Sequence, residues 1–240
     1  MIERRSGVAL WRQIADRMRH AINNGDYDET GTMPSEATLA ASFGVNRHTV
    51  RSALASLADE GMVRAVQGVG TLIERRDRLR FPISRRTRFS QGLGGQAKEL
   101  QGRLVAQAVE HATAIVAQAL ELPAGAECVR LETVGIADGK PISVATSFFP
   151  ADRFSRIGDI FARTRSITRA LAELGVEDYV RRTTEISAGH AEGADLRLLK
   201  LSPGAILLVT TAVNADTAGR PIQYSRSRFA ADRVKFLVET

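Results

Sequence analysis

Residues 34–71 read PSEATLAASFGVNRHTVRSALASLADEGMVRAVQGVGT, and this stretch decides the fold. Pro34-Ser35-Glu36 offers an N-cap followed by an acidic residue, which starts a helix by accepting a free backbone N–H and by placing negative charge at the dipole's positive end. Leu39, Ala40 and Phe43 then face inward, and Gly44 breaks the run. Asn46 is placed to cap the next helix, in which Val50, Leu54 and Leu57 fall on one face while Arg47, His48 and Arg51 fall elsewhere. Gly61 ends that helix. From Met62 to Ile73 the pattern changes to two short strands joined by Gln67-Gly68-Val69-Gly70, whose glycines permit positive φ. Upstream, Trp11, Ile14, Met18 and Ile22 form a helical stripe that stops at Gly25 and the polar run 26–32. The expectation is three helices and a hairpin around one small core.

Arg47 and Arg51 lie one helical turn apart, so both can point into a DNA major groove, where arginine binds guanine bidentately or holds a phosphate. His48 and Thr49 add shorter contacts. Taken alone, Arg47 to Arg51 is an ordinary solvated helix face. Its context is not ordinary: Pro34-Ser35-Glu36, Leu39-Ala40, the run Phe43 to Arg51, Leu54, Leu57, Gly61 and Gln67 to Thr71, in that order, resemble the GntR repressor family over about 65 residues. The resemblance implies a winged helix-turn-helix that works as a homodimer. It puts Arg47, His48, Thr49 and Arg51 at the groove-reading positions and Gln67 and Gly68 at the wing tip. Two-fold symmetry then calls for pseudo-palindromic double-stranded operator DNA. Some relatives carry a further DNA-contacting arginine early in the second helix, where this chain has Ala37.

The charged run Glu74 to Arg80 ends at Phe81-Pro82 and reads as a linker or as the solvated face of a longer strand. The expected division is 1–75 for the winged helix-turn-helix, 76–83 for the linker and 84–240 for an effector domain. Beyond the linker, strands are expected near 103–112, 127–137, 141–149, 178–190, 205–214 and 221–230, with helices near 90–100, 114–121, 166–174 and 193–199. Loops at 137–141 and 216–221 are rich in hairpin residues, so antiparallel pairing follows, and the two hairpin units are faintly similar. The fold class expected is α+β throughout. Residues from about 83 to 235 resemble the UTRA effector domain of the HutC branch, which implies an antiparallel sheet with helices like that of chorismate lyase.

Within that branch, Val45 to Thr49 with Gln67-Gly68-Val69-Gly70, then Arg88-Phe89-Ser90-Gln91 and Arg181-Arg182, most resemble regulators of phosphonate uptake and breakdown. A helix start at 87–91 would offer backbone N–H groups to an anion, with Arg88 adding charge and Ser90 a hydroxyl; equally, Ser90 simply caps a helix. By strand alternation Arg182 shares a face with Val180 and Ile186 and needs a partner, either an anion or a carboxylate such as Glu185 or Glu132. Ser147 and Gln223 lie on strands where related proteins contact effectors. The effector residues expected are thus Arg88, Phe89, Ser90, Gln91, Ser147, Arg182 and Gln223, with a phosphonate or phosphate ester as the small anionic ligand.

The balance of 33 Lys+Arg against 27 Asp+Glu suits a partner that carries phosphate. The single cysteine, Cys128, forms no internal disulfide, and no apolar stretch is long enough to cross a bilayer, so a cytoplasmic protein without membrane association is expected. The four histidines show no zinc spacing, no nucleophile or Walker signature is present, and no cofactor or metal is expected. These readings converge on a sequence-specific repressor that is not an enzyme, its operator affinity set by the effector. The alternatives are a regulator of sugar-phosphate, histidine or amino-acid catabolism, a lyase-like enzyme and a nonspecific DNA binder.

Overall fold

The computed structural model describes residues 9–74, 78–86, 88 and 92–238, in two compact units, Met1–Asp77 and Arg78–Thr240. In the first unit α1 (Leu10–Asn24), α2 (Glu36–Phe43) and α3 (Arg47–Asp59) precede a hairpin of β1 (Val63–Val66) and β2 (Gly70–Ile73). Local chemistry sets these boundaries. Gly25 and Gly44 take left-handed φ values of 85° and 63° and close α1 and α2, while the Ser35 side chain accepts from the Thr38 N–H at 3.1 Å to open α2. Ile14, Met18, Leu39, Val50, Leu54, Leu57 and Val63 form the core that the helical stripes expected. Arg19 on α1 donates to both Glu60 oxygens, at 2.9 and 2.7 Å, and fastens α1 to the end of α3.

The second unit is built on a six-stranded antiparallel sheet, so the α+β class holds. Its strands are β4 (Leu100–His111), β5 (Glu127–Ala137), β6 (Lys140–Pro150), β7 (Tyr179–His190), β8 (Ile206–Asp216) and β9 (Pro221–Ala230). The spatial order β4-β5-β6-β9-β8-β7 places two three-stranded meanders edge to edge at the β6–β9 pair. Each meander carries a helix between its first two strands: α4 (Ala114–Leu120) and α8 (Gly193–Leu199). The faint hairpin similarity in the sequence is therefore one end of a longer duplication. His111-Ala112 and His190-Ala191, Leu120 and Leu199, Gly125-Ala126 and Gly204-Ala205 recur at a constant offset.

Alternation along the strands assigns the two faces. Cys128, Phe148 and Tyr224 pack under α4, and Val134, Val144 and Leu207 pack with Leu199 of α8. On the opposite face Val129, Leu131 and Phe149 meet α5 (Ala151–Phe154), α6 (Ile157–Thr164) and α7 (Ile167–Glu173) through Phe154, Ile157, Phe161 and Leu171. Three expectations need correction. Residues 79–82, expected within the linker, form β3 (Leu79–Pro82), which pairs in parallel with β10 (Val234–Leu237); Phe81 needed an apolar partner and finds Phe229 at 4.9 Å. In the described part of the expected 90–100 helix, Gly92 is helical, but 93–99 are turns, a Gly94–Ala97 bridge and a bend, with Gly95 in the left-handed region at φ 80°. Helices α5 and α6 were not expected at all.

Candidate functional site

In the first unit the exposed surface gathers at the start of α3 and at the hairpin tip. Asn46 accepts the Thr49 backbone N–H and the Thr49 hydroxyl, each at 2.8 Å, so one side chain closes the helix end and orients Thr49. Arg47, His48 and Arg51 are exposed, opposite the buried Val50, Leu54 and Leu57. Arg51 donates to both oxygens of Glu36 at 3.2 and 2.8 Å; this hydrogen bond holds the Glu36 carboxyl below its usual range and steadies the arginine. Gln67, Gly68 and Val69 form the exposed tip of the hairpin, where Gly68 and Gly70 have φ of 79° and 116°. The structure thus brings the expected reading residues to one end of α3, with its core face anchored, as groove entry requires.

In the second unit a hollow lies on the sheet face that carries α5–α7. It exists because the side chains facing this way on the central strands are small: Ser143, Ala145 and Ser147 on β6, Ser225 and Ser227 on β9. The space left measures about 420 Å³, the size of a small-molecule site. Phe81 and Phe229 bound one end, and Phe161 and Ile167 project from the helices above.

Its charge is one-sided. Arg88 and Arg181 line the hollow, Arg165 and Arg169 stand exposed at its rim, and Glu99, also exposed, is the one carboxylate among the described lining residues. Arg88 lies over the Tyr179 ring at 4.7 Å and donates to Asp178 at 2.6 Å, which fixes its guanidinium. Tyr179 shares a 2.9 Å hydrogen bond with Thr168. Arg181 has no carboxylate partner among the described residues. Its Nε donates to Asn214 at 3.4 Å, one terminal nitrogen is buried with no partner among the described residues, and burial pushes its pKa down.

Of the expected effector residues, Arg88, Ser147 and Gln223 line this hollow. Phe89, Ser90 and Gln91, with Thr87, lie outside the described residues. Arg182 does not face the hollow: it is exposed and paired with Glu121. The β7–β8 register shifts between Arg181 and Thr183, so simple alternation fails at Arg182, and Ile186, the assumed apolar anchor of its face, is itself 50% exposed. Neither suggested carboxylate partner applies, since Glu185 is exposed and Glu132 pairs with Arg130 and Arg228. Arg181 and Asn214 were missed; the available signal was Tyr179-x-Arg181, a period-two pair starting from an aromatic that belongs inside.

A helix-turn-helix head and a separate unit enclosing a ligand-sized cavity define a DNA-binding regulator with an effector domain. Residues 10–73 match the gntR family of bacterial regulatory proteins and residues 95–235 match the UTRA domain. An HTH-type transcriptional regulator of Rhizobium meliloti (strain 1021), RB1450, described as uncharacterized, is 60% identical over 240 residues, covering 100% of this chain and 98% of its own. Escherichia coli (strain K12) PhnF, described as a probable transcriptional regulator, is 28% identical and is covered over 92% of its length by 95% of this chain. The crystal structure of PhnF from Mycobacterium smegmatis superposes with a TM-score of 0.65 at 25% identity, covering 95% of this chain and 98% of that one. The chain belongs to the GntR family, in the branch with a UTRA effector domain, and is a DNA-binding transcriptional regulator and not an enzyme.

Proposed function

We propose that the protein is a homodimeric, cytoplasmic repressor that binds a pseudo-palindromic operator and is released by a small anionic effector, controlling genes of phosphonate uptake and breakdown. The observation that carries this reading is the pairing of an exposed Arg47–Arg51 face on α3 with an arginine-lined hollow in the effector unit. The resemblance of the sequence to regulators of phosphonate uptake and breakdown supports the phosphonate assignment, and similarity to PhnF over 95% of the chain accords with it. Arg47, His48, Thr49 and Arg51 read the groove, while Gln67 and Gly68 approach the adjacent backbone. Arg88, Ser147 and Gln223 contact the effector, joined by Phe89, Ser90 and Gln91 of the neighbouring segment.

Residues 1–75 form the DNA-binding head, 84–240 the effector domain, and the chain between them transmits the signal. Phe81 suits that role: it follows the unit boundary closely, lines the hollow and sits in β3. An occupant of the hollow acts on DNA binding only through a difference in its affinity for the two arrangements of the heads. The test is footprinting of the chain on DNA from its own upstream region against random DNA at fixed salt. A protected inverted repeat with a large preference over random DNA supports the reading. Uniform, salt-sensitive coverage overturns it in favour of nonspecific binding.

A further inference from the structure

Across the floor of the hollow, four side chains on four adjacent strands form one hydrogen-bonded row. Arg181 on β7 reaches Asn214 on β8 at 3.4 Å, the Asn214 amide donates to Gln223 on β9 at 2.7 Å, and the Gln223 amide donates to Ser147 on β6 at 3.0 Å. The direction of the row is forced. A guanidinium can only donate, so the Asn214 oxygen must face it; the Asn214 nitrogen then meets the Gln223 oxygen, and the Gln223 nitrogen meets Ser147. With its oxygen accepting, Ser147 retains its own O–H as a donor. Asn214, Gln223 and Ser147 are 4%, 6% and 3% exposed, so water does not freely satisfy them.

Each oxygen of the row already accepts one hydrogen bond, while each amide keeps a second N–H and Ser147 its O–H, so the row has donors to offer the hollow. At its head, Arg181 keeps a buried terminal nitrogen unpaired, and Arg88 keeps a buried Nε unpaired, among the described residues. A half-buried cation such as Arg181, with no counter-charge among the described residues, is costly, and an anion removes that cost. We propose that Arg181 is the anion anchor of the hollow and that the Arg181–Asn214–Gln223–Ser147 row selects a small oxyanion whose remaining polar groups accept hydrogen bonds. The inference rests on the effector reading above and adds two residues, Arg181 and Asn214, that set its specificity. Phosphonate, phosphate and carboxylate share the chemistry, and separate probes distinguish them.

The test uses the full-length chain without DNA, in calorimetric titrations with methylphosphonate, 2-aminoethylphosphonate, inorganic phosphate and malonate, matched for ionic strength with sodium chloride. At least one of these binds the wild type, and Arg181→Met weakens that binding at least tenfold. Gln223→Glu weakens it comparably, because a carboxylate there takes the Ser147 O–H and repels the anion. Removing a half-buried charge that has no counter-charge among the described residues leaves the ligand-free melting midpoint of Arg181→Met equal to or above wild type, which separates lost binding from lost folding. The inference is overturned if none of the four probes binds, if Arg181→Met loses less than tenfold, or if its midpoint falls. Operator binding on the same preparations keeps the two readings apart. DNA binding with no Arg181-dependent anion sinks this inference alone; anion binding through Arg181 without operator preference sinks the repressor reading alone.

Discussion

Replacing Asn46 with alanine isolates the device that organises the start of α3. The Asn46 oxygen satisfies two donors of Thr49, and alanine leaves both to water. Loss of such a cap costs about 1 kcal/mol, which corresponds to a fall of about 4–8 °C in the midpoint of a unit this small. Val50, Leu54 and Leu57 still hold the rest of the helix, so the loss falls on the first turn, where Arg47, His48 and Thr49 reside. Each head must then be reordered on DNA. For the two heads of the proposed homodimer the cost is about 2 kcal/mol, or roughly 30-fold in operator affinity. Trp11, the chain's sole tryptophan, lies on α1 and reports unfolding of the head by fluorescence. Anisotropy of a labelled operator fragment reports affinity. Asn46→Asp separates the two effects: it keeps the cap and the midpoint but places a negative charge beside phosphate and so still loses affinity. An Asn46→Ala protein with unchanged midpoint and unchanged affinity would refute the reasoning.

Three further changes probe other parts of the molecule. Glu36→Gln removes the charged partner of an exposed arginine, so stability changes by less than about 1 kcal/mol; Arg51 is no longer steadied, and the ratio of operator to random-DNA affinity in competition titrations falls several-fold while random-DNA affinity does not fall. Gly102→Ala puts a Cβ 2.6 Å from Phe161 and 2.9 Å from the Arg165 carbonyl oxygen, which forces α6 off the sheet beside the hollow; urea unfolding should show a loss of about 1–3 kcal/mol. Burial pushes the Asp216 carboxyl up, but hydrogen bonds from the Arg220 backbone and the Arg153 guanidinium outweigh it and hold its pKa below the usual value. Its contribution is therefore complete above about pH 4, the unfolded value, and is lost as pH falls through the depressed folded value. Asp216→Ala costs about 2–3 kcal/mol at pH 7, and the gap between variant and wild type should close in acid unfolding curves below pH 4.

The legible parts of this fold were those fixed locally. Ser35 and Asn46 as caps, Gly44 as a stop and the glycines of the hairpin tip each act within a few residues, and the three helices and the hairpin followed from them, while the helix-turn-helix came from the family resemblance. The effector-domain hairpins were legible for the same reason. What escaped depends on partners distant in sequence: Leu79 pairs with Val234 across the whole second unit, and no local pattern in 79–82 announces it. Helices α5 and α6 did carry a signal in Phe154, Ile157, Ile160 and Phe161, spaced three and four apart, but it begins directly after a strand and is short. Within the hollow, Ser147, Gln223 and Arg88 were singled out with the help of the family resemblance, whereas Arg181 was passed over although Tyr179, two residues before it, marks the inward face; the register shift after Arg181 bears on Arg182. The small residues on β6 and β9 make the space, and their meaning emerges only when the two strands lie side by side.

The most direct test of the central claim is an anisotropy titration of the preformed protein–operator complex with methylphosphonate, 2-aminoethylphosphonate and phosphate at fixed ionic strength, with Arg47→Ala and Arg181→Met alongside the wild type. Wild type should be released from the operator by a phosphonate, Arg47→Ala should show no operator preference, and the Arg181→Met complex should form normally but not respond. A wild-type complex indifferent to every one of these anions, or an Arg181→Met complex released as readily as wild type, would contradict that claim.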